Sequence, residues 1–273
     1  MTNPTDFSFL KISAAGNKFL IADGNPKFPV ISDVVRILCQ NQDGYKPDGV
    51  LWLERTSNES YKWHFYNADG SSAEMCGNAA CGAVYYLKLK NFSEHGITFE
   101  TISGPVSTFD VKDPFPLNCA VSVWMPKILK DDVSASVDGQ PLVGVWIDSG
   151  VPHVVIEKPL VKYPTDSSWE RKVRLHPMFG NKGTNVTYVF NTAKGVKAIS
   201  YERGVEAFTD GCGTGALAAA FSTYRKQSPA AVKTAAPISV EMPGGTLKVT
   251  FLGRKAILQS PVKFHGLLEP TKG

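Results

Sequence analysis

Two cysteines in matching contexts are the residues of this chain best suited to do chemistry. One lies in Met75-Cys76-Gly77-Asn78-Ala79-Ala80, the other in Gly211-Cys212-Gly213-Thr214-Gly215-Ala216. Their separation is half the length of the 273-residue chain. Each follows a polar, turn-rich stretch and opens an alanine-rich, helix-compatible run, so each thiol is expected at a helix start. Backbone N–H groups of a first turn have no partner inside the helix and carry the positive end of its dipole. A thiol placed there has its pKa lowered, which makes thiolate available near neutral pH. The adjacent glycine lets a ligand approach the backbone closely, and the same N–H groups can hold a carboxylate. Two such helix starts facing one another would grip one carboxylate between two sulfurs. One thiolate would remove the α-proton, and the opposing thiol would supply another to the other face. The positive helix ends would stabilise the charge that develops between the two transfers. The scheme requires no cofactor.

The other three cysteines read differently. An isolated cysteine is usually a small buried hydrophobe, and Cys39, Cys81 and Cys119 take that reading. Zinc is disfavoured, because the Cys76–Cys81 spacing is unusual for a site and no second Cys/His pair accompanies it. No metal is expected.

The elements that must position the two thiols recur in both halves. Gly16-Asn17-Lys18-Phe19 opens an apolar run ahead of Cys76, and Gly150-Val151-Pro152-His153 opens another at nearly the same distance ahead of Cys212. Asp48 and Thr184 each begin an apolar stretch, and each stands at an identical interval before its cysteine. A strand-like segment with a polar end follows, finishing at Asn67 in the first half and Glu202 in the second. Four landmarks in register, the cysteines included, argue for duplication of a unit of roughly a hundred-odd residues.

Short β-branched or alternating runs predict strands at Val50–Leu53, Lys62–Tyr66, Ile97–Thr101, Ala120–Trp124, Val143–Ile147, Val154–Glu157, Thr187–Phe190, Lys197–Tyr201, Ile238–Met242 and Thr246–Leu252. Helices are expected at Ser32–Gln40, Gly77–Leu89 and Gly213–Lys226. The last two are apolar on nearly every face, which marks a buried helix. The fold class expected is α+β. It has two pseudo-symmetric domains, each a mostly antiparallel sheet wrapped around a central buried helix, with the active site in the cleft between them. The halves are expected at residues 1–120 and 121–261. A boundary region at 115–140 is marked by Pro114, Pro116, Pro126 and Asp131-Asp132.

Composition excludes several classes. Hydrophobic residues make up 43% and charged residues 20% of the chain, as in a soluble globular protein. The net charge of +4 is not clustered, so no nucleic-acid partner is expected. Five cysteines in a long chain argue against a disulfide framework. The opening residues lack a secretory pattern and no stretch reaches the length of a membrane span, so a cytoplasmic setting and no membrane partner are expected.

These residues resemble the diaminopimelate epimerase family over nearly the whole chain. The likeness includes Gly16-Asn17-Lys18-Phe19 and Tyr66-Asn67-Ala68-Asp69-Gly70-Ser71 leading into Glu74-Met75-Cys76-Gly77-Asn78. It continues through Pro152-His153, Gly183-Thr184-Asn185-Val186 and Glu202-Arg203-Gly204-Val205, and closes with Cys212-Gly213-Thr214-Gly215-Ala216 and Met242-Pro243-Gly244-Gly245. The resemblance implies conversion of LL- to meso-diaminopimelate without pyridoxal phosphate, a step serving lysine and peptidoglycan synthesis. It implies Cys76 and Cys212 as the two acid–base groups. Gly77-Asn78 and Gly213-Thr214 would bind the reacting carboxylate through backbone amides. Asn17, Asn67, Asn185, Glu202 and Arg203 would hold the substrate's amino and carboxylate groups, and His153 and Glu202 would tune the thiols. The partner would be a small molecule, with a homodimer consistent with the family and a C-terminal tail of about 262–273 returning to the first domain.

The chain departs from the family pattern at named places. Val151 stands where asparagine is common, which removes an amide that would help hold the distal end of the substrate. Lys18 replaces a usual acidic residue. The stretch between Arg203 and Cys212 is one residue longer than the commonest version, and Asp43–Gly49 diverges. Other readings keep the fold and change the chemistry. One is a racemase or epimerase of another amino acid, as in the proline racemase group, which tends to carry histidine where Thr214 stands. A phenazine-pathway isomerase would lack the cysteine pair. A non-catalytic amino-acid-binding relative would be expected to lose a cysteine.

Overall fold

The computed structural model describes residues 7–40, 44–90, 96–109, 118–158, 166–192, 195–227 and 236–269. Asp43, Pro114, Pro116 and the last four residues of the expected tail lie outside them. By its internal contacts the chain divides into two compact units, Met1–Val123 with Gln259–Gly273, and Trp124–Leu258.

In the first unit the order is β1 (Phe9–Ala14), β2 (Asn17–Asp23), α1 (Ile31–Leu38), β3 (Gly49–Arg55), β4 (Ser60–Asn67), α2 (Gly77–Leu89), β5 (Thr98–Thr101), β6 (Gly104–Phe109) and β7 (Asn118–Trp124). Strands β1 to β7 are neighbours in chain order. The pairs spanned by a helix, β2–β3 and β4–β5, are parallel; β1–β2, β3–β4, β5–β6 and β6–β7 are antiparallel. Parallel neighbours need a long crossover, and a helix supplies it.

Both faces of the β2–β3 pair are covered, which explains the unbroken apolar run Phe19–Ala22. Leu20 and Ala22 join Val50, Trp52 and the α1 residues Val35 and Leu38 in one cluster. On the other face Ile12, Phe19 and Ile21 approach Gly82 of α2. Ten of the thirteen residues of α2 are buried, as its apolar circumference requires.

The second unit repeats this plan. Its order is β8 (Lys127–Val137), β9 (Gln140–Asp148), β10 (Pro152–Glu157), α3 (Ser168–Arg174), β11 (Asn185–Thr192), β12 (Gly195–Glu202), β13 (Ala207–Thr209), α4 (Gly213–Gln227), β14 (Ile238–Met242) and β15 (Gly245–Leu252). Here too the helix-spanned pairs, β10–β11 and β12–β14, are parallel, while β8–β9, β9–β10, β11–β12 and β14–β15 are antiparallel. The short β13 folds back on β12. Buried residues run from Gly211 through Thr223, so α4 is the central helix of this unit.

The last strand, β16 (Lys255–Leu268), carries the chain from the second unit back to the first, where Val262–Leu268 pairs antiparallel with β1. No helix among the described residues is long and apolar enough to cross a membrane.

Candidate active site

Cys76 is the N-cap residue of α2, with extended backbone (φ −137°, ψ 117°). Its Sγ accepts a hydrogen bond from the Ala79 N–H at 3.5 Å, while its carbonyl accepts from Ala80 N–H at 2.9 Å. Cys212 precedes α4 in the same way: Sγ accepts from Gly215 N–H at 3.2 Å and the carbonyl from Ala216 N–H at 2.8 Å. In both, sulfur takes the place a Ser or Asp oxygen has in an ordinary cap. Amide donors at a helix start favour negative charge on the group they face. Cys76 is half-buried; Cys212 is buried, and its own N–H donates to Met242 Sδ at 3.5 Å. Cys39, Cys81 and Cys119 are buried. Burial, with Asp48 nearby, pushes the Cys39 thiol up to about 12, and burial raises Cys81 well above its ordinary value.

In the first unit Asn17, the first residue of β2, accepts through Oδ1 from Asn78 Nδ2 at 2.7 Å. The pairing of β2 with β3 is anchored at Asp48, whose Oδ2 accepts from Lys18 N–H at 2.8 Å. Asn67 ends β4; its N–H donates to the Ser71 carbonyl at 2.9 Å and Nδ2 to Ser71 Oγ at 3.1 Å. Asn17, Gly77 and Asn78 are thereby brought to the start of α2, while Asn67 is held in its own turn.

In the second unit one network joins most of the expected residues. His153 is fully buried: Nδ1 lies 2.8 Å from Thr187 Oγ1, Nε2 lies 3.0 Å from Thr214 Oγ1 and 3.2 Å from Asn185 Nδ2. Thr214 Oγ1 in turn lies 3.5 Å from Cys212 Sγ. Asn185 Oδ1 accepts from the Arg203 N–H at 2.8 Å. Burial, with the Arg203 guanidinium adding to it, lowers the His153 pKa to about 3, so the ring is neutral at physiological pH. The strand register explains the position. His153 pairs with Asn185, as Phe19 pairs with Gly49 in the first unit, so the duplicated position holds Phe in one unit and His in the other. Glu202 ends β12 as Asn67 ends β4, and Thr209 Oγ1 donates to its Oε1.

Between Arg203 and Cys212 the chain makes a turn in which Glu206 has φ +56°, followed by β13. Val151 is half-buried, and its carbonyl accepts from Ser149 N–H at 3.2 Å. Thr187, Ser200 and Thr209 surround the site residues and were not among those expected. They are single polar residues in β segments, and only the register between strands reveals them.

Among known proteins, a model of the family described as diaminopimelate epimerase matches residues 9–116 and 145–259. The chain belongs to the diaminopimelate epimerase family. A diaminopimelate epimerase of Aquifex aeolicus is 33% identical over 231 residues, covering 80% of this chain and 81% of that one. One from Hydrogenobaculum sp. is 31% identical over 275 residues, covering 94% and 97%. Among solved structures, a hydroxyproline epimerase from Agrobacterium vitis superposes with a TM-score of 0.68 at 14% identity, over 96% of this chain and 91% of that one. A phenazine biosynthesis protein from Enterococcus faecalis gives 0.64 at 14%, over 96% and 97%. At these identities the two structures share the fold alone with this family member.

Proposed function

We propose that the protein interconverts LL- and meso-diaminopimelate by cofactor-independent two-base chemistry, in lysine and peptidoglycan precursor synthesis. The observation that carries this reading is the pair of matched N-caps. Two units of one topology, in a chain of this family, each present a thiol whose sulfur faces the third amide of its helix. One thiolate takes the α-proton and becomes a thiol, leaving an electron pair delocalised into the carboxylate. The other thiol gives its proton to the opposite face and becomes a thiolate, so charge is conserved.

Gly77-Asn78 and Gly213-Thr214 offer first-turn amides to the reacting carboxylate, which spreads the developing charge. Arg203 pairs with a carboxylate, Glu202 accepts from an ammonium group, Asn17 and Asn67 serve either, and Asn185 holds the Arg203 backbone in place. His153, neutral and in contact with Thr214, acts on Cys212 indirectly. A reducing cytoplasm keeps both thiols competent.

Protein purified without added cofactor is expected to exchange the α-hydrogen of LL-diaminopimelate with solvent deuterium and to form the meso isomer. Cys76→Ala and Cys212→Ala are each expected to abolish epimerisation; near-normal turnover by either refutes the two-base scheme. Val151 supports a second reading, an epimerase of an amino acid with a different distal end. Exchange confined to another member of an amino-acid panel would select it.

A further inference from the structure

The second unit fixes the tautomer of His153, and that in turn fixes what Thr214 can do for Cys212. The Arg203 backbone N–H can only donate. It points at one end of the Asn185 amide at 2.8 Å, so that end is oxygen. The other end, Nδ2, carries only hydrogens and faces His153 Nε2 at 3.2 Å. Nε2 is therefore the bare, accepting nitrogen. A neutral imidazole has one ring proton, and it must be on Nδ1. Nδ1–H donates to Thr187 Oγ1 at 2.8 Å, and Thr187 Oγ1 lies 2.9 Å from Ser200 Oγ, to which it can donate its own hydrogen. The side chains of His153, Asn185, Thr187, Ser200 and Thr214 are all buried.

Thr214 Oγ1 then stands between two acceptors, His153 Nε2 at 3.0 Å and Cys212 Sγ at 3.5 Å. We propose that Asn185 and Thr187 are positioning residues that hold His153 as the Nδ1–H tautomer. The Thr214 hydroxyl is thereby a two-position donor, serving Nε2 when Cys212 is a thiol and sulfur when Cys212 is a thiolate. In the thiol state the S–H donates to Thr214 Oγ1 and the Thr214 O–H donates to Nε2. In the thiolate state the O–H turns to sulfur, and the Asn185 Nδ2–H keeps Nε2 satisfied. This accounts for two donors facing one lone pair. No proton leaves its heavy atom in the turn, so His153 remains neutral throughout. The use of the switch in turnover rests on the reading of Cys212 as an acid–base group; the tautomer does not.

Two measurements test it. Long-range proton–nitrogen correlation on protein labelled with 15N-histidine is expected to show a protonated-type Nδ1 and an unprotonated-type Nε2 for His153 at neutral pH. The reverse assignment overturns the proposal. Thr187→Val is expected to disturb that pattern and Thr187→Ser to restore it; an undisturbed pattern in Thr187→Val removes Thr187 from the arrangement. The second measurement is the rate of Cys212 alkylation by iodoacetamide at pH 7, read by peptide mass spectrometry against Cys76 in the same digest. Thr214→Val is expected to slow Cys212 about tenfold, the worth of one hydrogen bond to a charged group, and Thr214→Ser to stay near the wild-type rate. Equal rates for wild type and Thr214→Val overturn the switch. Neither readout needs turnover, so a protein inactive on diaminopimelate would still answer both.

Discussion

At Cys212 the available space is as decisive as the chemistry. A Cβ added to Gly215 would lie 2.2 Å from Ser200 Oγ and 3.1 Å from Cys212 Sγ. Gly215→Ala is therefore expected to cost about 1–3 kcal/mol and to displace the thiol. Urea unfolding measures the first effect and the alkylation rate of Cys212 the second. Adding Ser200→Ala should recover part of the stability, and additivity of the two changes would show that the clash is not the cause. His153 gives a pH dependence whose sign follows from its depressed folded-state pKa. Between its ordinary value near 6.5 and about 3 the unfolded chain binds a proton that the folded chain refuses. Stability contributed by the neutral ring is thus intact above pH 6.5 and falls by about 1.4 kcal/mol per unit as the pH drops through that window. Unfolding free energies at pH 7, 5.5 and 4.5 should decline less steeply for His153→Gln, by close to one proton. Equal slopes would mean the ring is protonated in the folded state. The two matched cysteines were legible in the sequence because a cap and its glycine are local signals. Thr187 and Ser200 were not, because their nearness to His153 comes from strand register between segments distant in the chain.

At the scale of elements, the helices α1, α2 and α4 and all the expected strands are present, each overlapping an observed element of the same type. Buried helices announce themselves by an apolar circumference, and doubly covered strands by an unbroken apolar run. What the sequence hid has physical reasons. Strand β8 crosses Asp131-Asp132 because most of its residues are exposed, and Asp131 pairs there with Arg225 of α4 at 2.7 Å. Helix α3 is short and mostly charged, so no period registers. The β16 run carries Pro261, a residue that argues against a strand read in isolation. The packing of α2 on its sheet can be tested at Gly82, where an added Cβ would meet Ile21 Cδ1 at 3.2 Å and Ile12 Cγ2 at 3.5 Å. Gly82→Leu is expected to lower the unfolding free energy by about 1–3 kcal/mol or more, despite leucine's better helix propensity. A stabilised variant in urea melts would mean the helix stands further off than this contact requires.

At the scale of the whole molecule, duplication was legible from landmarks at nearly equal distances before each cysteine. It reappears as the same succession of parallel and antiparallel pairs in both units. The return of the chain through β16 adds a constraint that no repeat carries. Val262–Leu268 covers β1, and without it β1 would offer unpaired N–H and C=O groups along its edge. A chain stopped after Leu258 is expected to aggregate on refolding, read by light scattering. A monomeric truncation with wild-type amide protection in β1 would show that β16 is dispensable there. The same pairing sets a schedule. Ala14 pairs with Val262, so nearly the whole chain is made between the two partners. At a synthesis rate of about 5–20 residues per second, β1 leaves the ribosome roughly 12–50 s before its partner exists. The second unit, Trp124–Leu258, is one continuous stretch made entirely before Val262. The half of the protein that is synthesised first is therefore the half that is finished last, and its exposed edge is what a chaperone would meet on the nascent chain.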